Sequence, residues 1–107
     1  MLNPAELSTA AKTAVAGHLQ HEGWTVTDLN PGCDGPADIS ASKDGVTILV
    51  RIKAALLPQL PDALTQREVQ RILSTAAPIQ ASPYEARVQL DPPNAPSIRY
   101  VRVRERE

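Results

Sequence analysis

The sequence predicts one α+β domain in the order helix, strand, strand, strand, helix, strand, strand. Three observations carry that expectation. Residues 3–18 and 65–76 each open with a helix-start signal and continue with apolar residues at helical spacing. Asp44-Gly45 separates two strand-like runs, the pattern of a tight hairpin. Residues 84–90 alternate apolar and polar, and residues 98–103 make a last strand. The 107 residues suit a single domain, with residues 104–107 a frayed, solvated tail.

The first helix is capped by Asn3, has Pro4 at its first position and completes a capping box with Glu6. Leu7, Ala11, Ala14, Val15 and His18 then form its buried stripe, and Gly23 ends it in the left-handed conformation. Residues 24–29 read as a short strand, and Asn30-Pro31-Gly32 forces a loop. The hairpin pairs residues 37–41 with residues 46–53. In its second strand Val46, Ile48, Val50 and Ile52 share one face, while Thr47, Leu49, Arg51 and Lys53 share the other. A strand that is apolar on both faces at its start and charged on one at its end is central, and delivers its charges to a site at one edge of the sheet.

Residues 56–61 form a proline-punctuated connection. The second helix opens with a Thr65/Glu68 capping box, with Leu64 stapling onto Val69. It buries Val69, Ile72, Leu73 and Ala76, turns Gln66, Arg67, Gln70 and Arg71 outward, and stops at Pro78. Tyr84, Ala86, Val88 and Leu90 alternate with Glu85, Arg87 and Gln89 as a half-buried strand, and residues 91–96 read as a rigid proline-rich loop.

Net charge is −1, but its distribution is uneven. Residues 1–50 carry two bases against six acids, and residues 51–107 carry nine bases against six acids. The second half can therefore present a basic face; the bland reading is a set of solvated arginines. Cys33 is the single cysteine, which excludes an internal disulfide and speaks against a secreted scaffold. The start lacks the basic and apolar regions of a signal peptide, and no apolar run is long enough to span a bilayer, so a cytoplasmic protein with no membrane partner is expected. There is no Phe, and Trp24, Tyr84 and Tyr100 are the only aromatics, so the core is expected to be aliphatic.

Gly23-Trp24-Thr25-Val26, Pro36-Ala37-Asp38-Ile39, Val50-Arg51-Ile52-Lys53-Ala54, the helix opening Leu64-Thr65-Gln66-Arg67-Glu68 and the strand from Tyr84 together resemble the restriction-endonuclease-like fold of the PD-(D/E)XK nuclease superfamily. The likeness is greatest to small Holliday-junction-resolvase-type nucleases. It implies a mixed central sheet flanked by helices, and Mg²⁺-assisted phosphodiester hydrolysis. In that chemistry an Asp and a second acid hold the metal through hard oxygen ligands, and a Lys two residues after the second acid steadies the attacking water and developing charge. Asp38 matches the first acid and Lys53 the Lys. Arg51 stands where the second acid belongs, and a cation there repels Mg²⁺ and offers it no oxygen. Glu6 and Asp34 are the acids that could have been relocated; Glu6 is already explained by its cap, and Asp34 lies in a glycine-flanked loop. A two-residue turn at Asp44-Gly45 sets Asp38 opposite Arg51, and a four-residue turn sets it opposite Leu49; either register lets Asp38 meet Arg51.

The resemblance thus leads to a nuclease-fold protein with a damaged metal site and no cofactor. Such a protein keeps a nucleic-acid-binding or regulatory role, with Lys53, Arg67 and Arg71 making weak, non-specific contacts to DNA phosphates. Two other readings stay open. One is an active Mg²⁺-dependent nuclease with Asp38 as metal ligand, Lys53 as catalytic residue and a relocated acid. The other is a small module that binds a protein partner, which the near-zero net charge favours. The plainest reading of Asp38, Arg51 and Lys53 is a cross-strand charge cluster, worth roughly 0–1 kcal/mol if exposed. His18 reads as a packed or edge histidine and His21 as solvent-facing, since neither has metal-ligand company.

Overall fold

A computed structural model describes residues 3–28 and 37–104. Helix α1, Pro4–His21, begins where the Asn3 side chain accepts the Glu6 amide at 2.8 Å, which satisfies one of the donors a helix start leaves unpaired. It buries Ala11, Val15 and Leu19, an i, i+4, i+8 stripe. His18 is not part of that stripe. It lies on the exposed edge, where its ring stacks on Tyr100 with centroids 5.5 Å apart and shares a hydrogen bond with the Tyr100 hydroxyl at 2.9 Å. A polar ring keeps its partners at the edge more cheaply than in the core, so Leu19 takes the buried place. Gly23 follows at φ +95°, the left-handed conformation that ends the helix and turns the chain into β1, Thr25–Asp28.

The hairpin forms as β2, Ile39–Lys43, and β3, Val46–Leu56. Asp44 and Gly45 both have positive φ, at 51° and 80°, and Lys43 pairs with Val46, so the turn is the two-residue type I′. α2, Gln66–Ala76, carries the full Thr65/Glu68 capping box and leads through a 3₁₀ turn, Ala77–Ile79, to β4, Ser82–Asp91, and β5, Asn94–Arg102. The five strands lie in sequence order, antiparallel throughout except for β3 and β4, which run parallel because α2 crosses between them.

Three boundaries differ from expectation. β2 begins at Ile39, although the Asp38 amide already donates to the Val50 carbonyl at 2.8 Å. β3 runs on to Leu56, because Ala54, Ala55 and Leu56 find partners in Val88, Gln89 and Leu90 of its parallel neighbour. The supposed loop at residues 91–96 is mostly strand: Asn94 pairs with Asp91, and only Pro92-Pro93 turns the chain. Pro96 is tolerated within β5 because β5 is an edge strand, where a missing amide need cost no ladder bond. Leu29, Asn30-Pro31-Gly32, Cys33, Asp34, Pro36 and residues 105–107 lie outside the described residues.

Each face of the sheet is covered by one helix. Ala11, Val15 and Leu19 of α1 pack on Ile39, Ala41, Ile48, Val50, Ala86, Val88 and Leu90. On the other face Leu64, Val69, Ile72 and Ala76 pack on Ala37, Leu49 and Val103. β3 contributes to both clusters, as its two apolar faces predict, and so carries its later residues to the place where the apolar cover ends.

Candidate functional site: a buried acid beside Arg51

The two-residue turn fixes the hairpin register. The pairing ends at Ile39 opposite Val50; just before it the Asp38 amide donates to the Val50 carbonyl at 2.8 Å and the Asp38 side chain meets Arg51. Asp38 is only 3% exposed, and its carboxylate has two partners. One oxygen accepts the Ile52 amide at 2.7 Å, and the other lies 3.5 Å from the Arg51 guanidinium. Arg51 also reaches Glu68 of α2 at 3.4 Å. Glu68 in turn holds the Lys53 ammonium at 2.9 Å. Asp38, Arg51, Glu68 and Lys53 therefore form a chain of alternating charge across three elements.

Sequence reasoning gave Glu68 a local role only. That role exists: its carboxylate accepts the Thr65 amide at 3.0 Å while Thr65 Oγ1 accepts the Glu68 amide at 3.2 Å. The second role, as anchor for two cations of β3, appears only when α2 docks on the sheet. Partial burial by itself would raise the Glu68 pKa; the Thr65 amide and the Lys53 ammonium more than offset this and bring it down from 4.5 to about 2.

Alternation puts Glu85 on the polar face of β4 with Arg87 and Gln89, yet it is only 4% exposed. The face it shares with Arg87 and Gln89 is covered at Glu85 by the approach to α2. Its carboxylate accepts the Leu64 amide at 2.7 Å and the Arg87 guanidinium, so it ties the start of α2 to β4. The one available signal was its register partner, since Arg51 and Glu85 stand side by side on parallel strands.

A cleft of about 320 Å³ opens over these charges, lined by Asp38, Arg51, Lys53 and Asp62 and by Ser8 and Lys12 of α1. Lys12 is engaged by Asp28 at 3.2 Å. Arg67 and Arg71 do not enter this cleft; they lie on the exposed face of α2 with Gln70, Ser74 and Thr75. Glu6 is exposed and does not line the cleft, and Asp34 is outside the described residues. The arrangement around Asp38 does not suit Mg²⁺. A guanidinium lies against one of its oxygens, Glu68 is bonded to both cations, and among the described residues no three His, Cys, Asp or Glu side chains are grouped to hold a metal.

No family model matches the chain, and no curated protein matches it. Among solved structures it matches that of Hjc, a Holliday junction resolvase from the archaeal hyperthermophile Archaeoglobus fulgidus, with a TM-score of 0.66 and 21% identity over 89% of this chain and 71% of that one. The fold is restriction-endonuclease-like. At that identity the likeness speaks for architecture, and what the site does rests on its own residues. Among the described residues no helix is long and apolar enough to cross a membrane.

Proposed function

We propose that this chain is a nuclease-fold protein that does not cleave and that binds nucleic acid through phosphate contacts. The observation that supports this reading most strongly is the Arg51 guanidinium 3.5 Å from Asp38. In the resolvase-like scheme that place belongs to the metal and its second carboxylate. Arg51 supplies Asp38 with a positive partner without providing a Lewis acid or a means of generating hydroxide at the scissile phosphate. Lys53, which would steady a water in an active site, is held by Glu68 instead.

The binding half of the proposal draws on the fold shared with a Holliday junction resolvase and on exposed Arg67 and Arg71, two cations one helical turn apart on α2. Contacts of this kind read backbone charge and carry no base information. Affinity should therefore be modest, fall steeply with salt, and vary little with sequence.

The test is a cleavage assay with single-stranded, double-stranded and branched DNA in Mg²⁺ or Mn²⁺, run beside a binding assay at low salt. The expected result is no product with any substrate, and binding that Arg67→Ala together with Arg71→Ala weakens on all of them alike. Metal-dependent cleavage that Asp38→Ala abolishes would overturn the proposal in favour of an active enzyme. Absence of binding to every substrate at low salt would overturn it in favour of a protein-interaction module.

A further inference from the structure

We propose that a cleft at the opposite end of the sheet, built from His18, Trp24, Tyr84 and Tyr100, binds one unpaired base of a single nucleic-acid strand. This goes beyond the phosphate contacts proposed above and rests on the nucleic-acid reading. The chain has three Phe, Tyr or Trp residues in 107, and all three line this one cleft of about 300 Å³. Elsewhere the core is aliphatic; the three aromatics pack against its α1 side and still line the cleft. Trp24, Tyr84 and Tyr100 are each only partly buried.

Polar groups join the aromatics in the lining, and one cation stands over the Tyr84 ring beside it. His18 stacks on Tyr100 at 5.5 Å with an interplanar angle of 24°, which extends the aromatic wall from α1 to β5. The Tyr100 hydroxyl is fixed by its 2.9 Å bond to His18, and burial raises its pKa to about 12, so it remains an uncharged polar group. Glu22 also lines the cleft; its carboxylate lies 3.9 Å from His18 Nε2 and can accept from a base amine or imide. Arg102, exposed on the neighbouring strand, holds its guanidinium 5.6 Å from the centre of the Tyr84 ring. A base stacked in the cleft would bring its own phosphate toward that cation. Aromatic platforms flanked by basic residues are how proteins hold single strands without reading sequence.

The cleft is separate from the Asp38 site. It is lined by Val46 and Ile48, at the start of β3 and on its α1 face, whereas Arg51 and Lys53 lie further along and on alternate positions. It is also separate from Arg67 and Arg71 on the exposed face of α2, so binding at the cleft and at those phosphate contacts can be lost independently.

Trp24 is the one tryptophan, so its fluorescence reports on the cleft directly. The intact chain is titrated with a ten-nucleotide DNA strand, with the duplex of equal length, and with a nucleoside 5′-monophosphate. The strand should quench Trp24 and bind more tightly than the duplex. Tyr100→Leu should reduce strand affinity roughly tenfold, as loss of one stacked base does, and leave duplex affinity unchanged. Arg102→Gln, an exposed change that does not threaten folding, should weaken strand binding in the same selective way. Equal affinity for strand and duplex with neither variant selective, or quenching by the monophosphate without the strand, would overturn the cleft proposal and leave the phosphate-contact reading intact. No binding of strand or duplex at low salt would overturn both.

Discussion

Asp38 is an almost fully buried acid whose two oxygens face a backbone amide and a guanidinium, and this decides what its replacement should do. Alanine at this position leaves the Ile52 amide without an acceptor and Arg51 without one of its acids. Breaking a buried charge pair from one side typically costs about 3–5 kcal/mol, far above the value of an exposed pair. Asp38→Ala should therefore lower unfolding free energy by about 3 kcal/mol in urea titrations. Asp38→Asn should lose less, because its amide oxygen can still accept from Ile52. A loss below about 1 kcal/mol for alanine would class the group with surface ion pairs. The meeting of Asp38 and Arg51 was legible in the sequence: Asp44-Gly45 dictates a tight turn, and counting back from it sets the two residues opposite each other. The burial of Glu85 was not, because alternation assigns it to a polar face and says nothing of which helix later covers that face.

Helix α2 joins local folding to the site through a single side chain. Glu68 caps its own helix and holds Lys53 and Arg51, so the same carboxylate sets where the helix starts and how β3 presents its charges. Its pKa is lowered in the folded chain, so the stability it contributes is fully present above its ordinary value of 4.5 and is lost as pH falls toward about 2. Equilibrium unfolding followed across that window should show a slope that Glu68→Gln removes. An unchanged slope in the variant would contradict the geometry. The same change should release Lys53 and Arg51 from their counter-charge and tighten DNA binding at low salt, whereas a merely structural role would weaken it. Sequence gave both N-cap residues, the β3 faces and the outward arginines of α2 correctly, since each depends on near neighbours, but of the two capping boxes it expects only Thr65/Glu68 forms, Asn3 making the single bond from the Glu6 amide. It shortened β3 and mistook most of residues 91–96 for loop, because strand ends depend on what lies alongside: β4 extends β3, and the edge position of β5 admits a proline.

The whole molecule places its charges according to the topology. β3 is central, paired with an antiparallel neighbour on one side and a parallel one on the other, and so presents Arg51 and Lys53 between Asp38 and the start of α2. The excess of bases in the second half of the chain does not translate into a uniformly basic face, since part of it is neutralised within the site. The fold is shared with a resolvase, and the proposal of a site that does not bind metal rests on one residue, Arg51, beside Asp38. Thermal unfolding of the natural chain and of Arg51→Glu, each with and without millimolar Mn²⁺, tests this most directly, because an ion that binds only the folded state raises the midpoint. The natural chain should show no shift, and Arg51→Glu an upward shift that Asp38→Ala removes. An upward shift in the natural chain, lost on Asp38→Ala, would contradict that proposal.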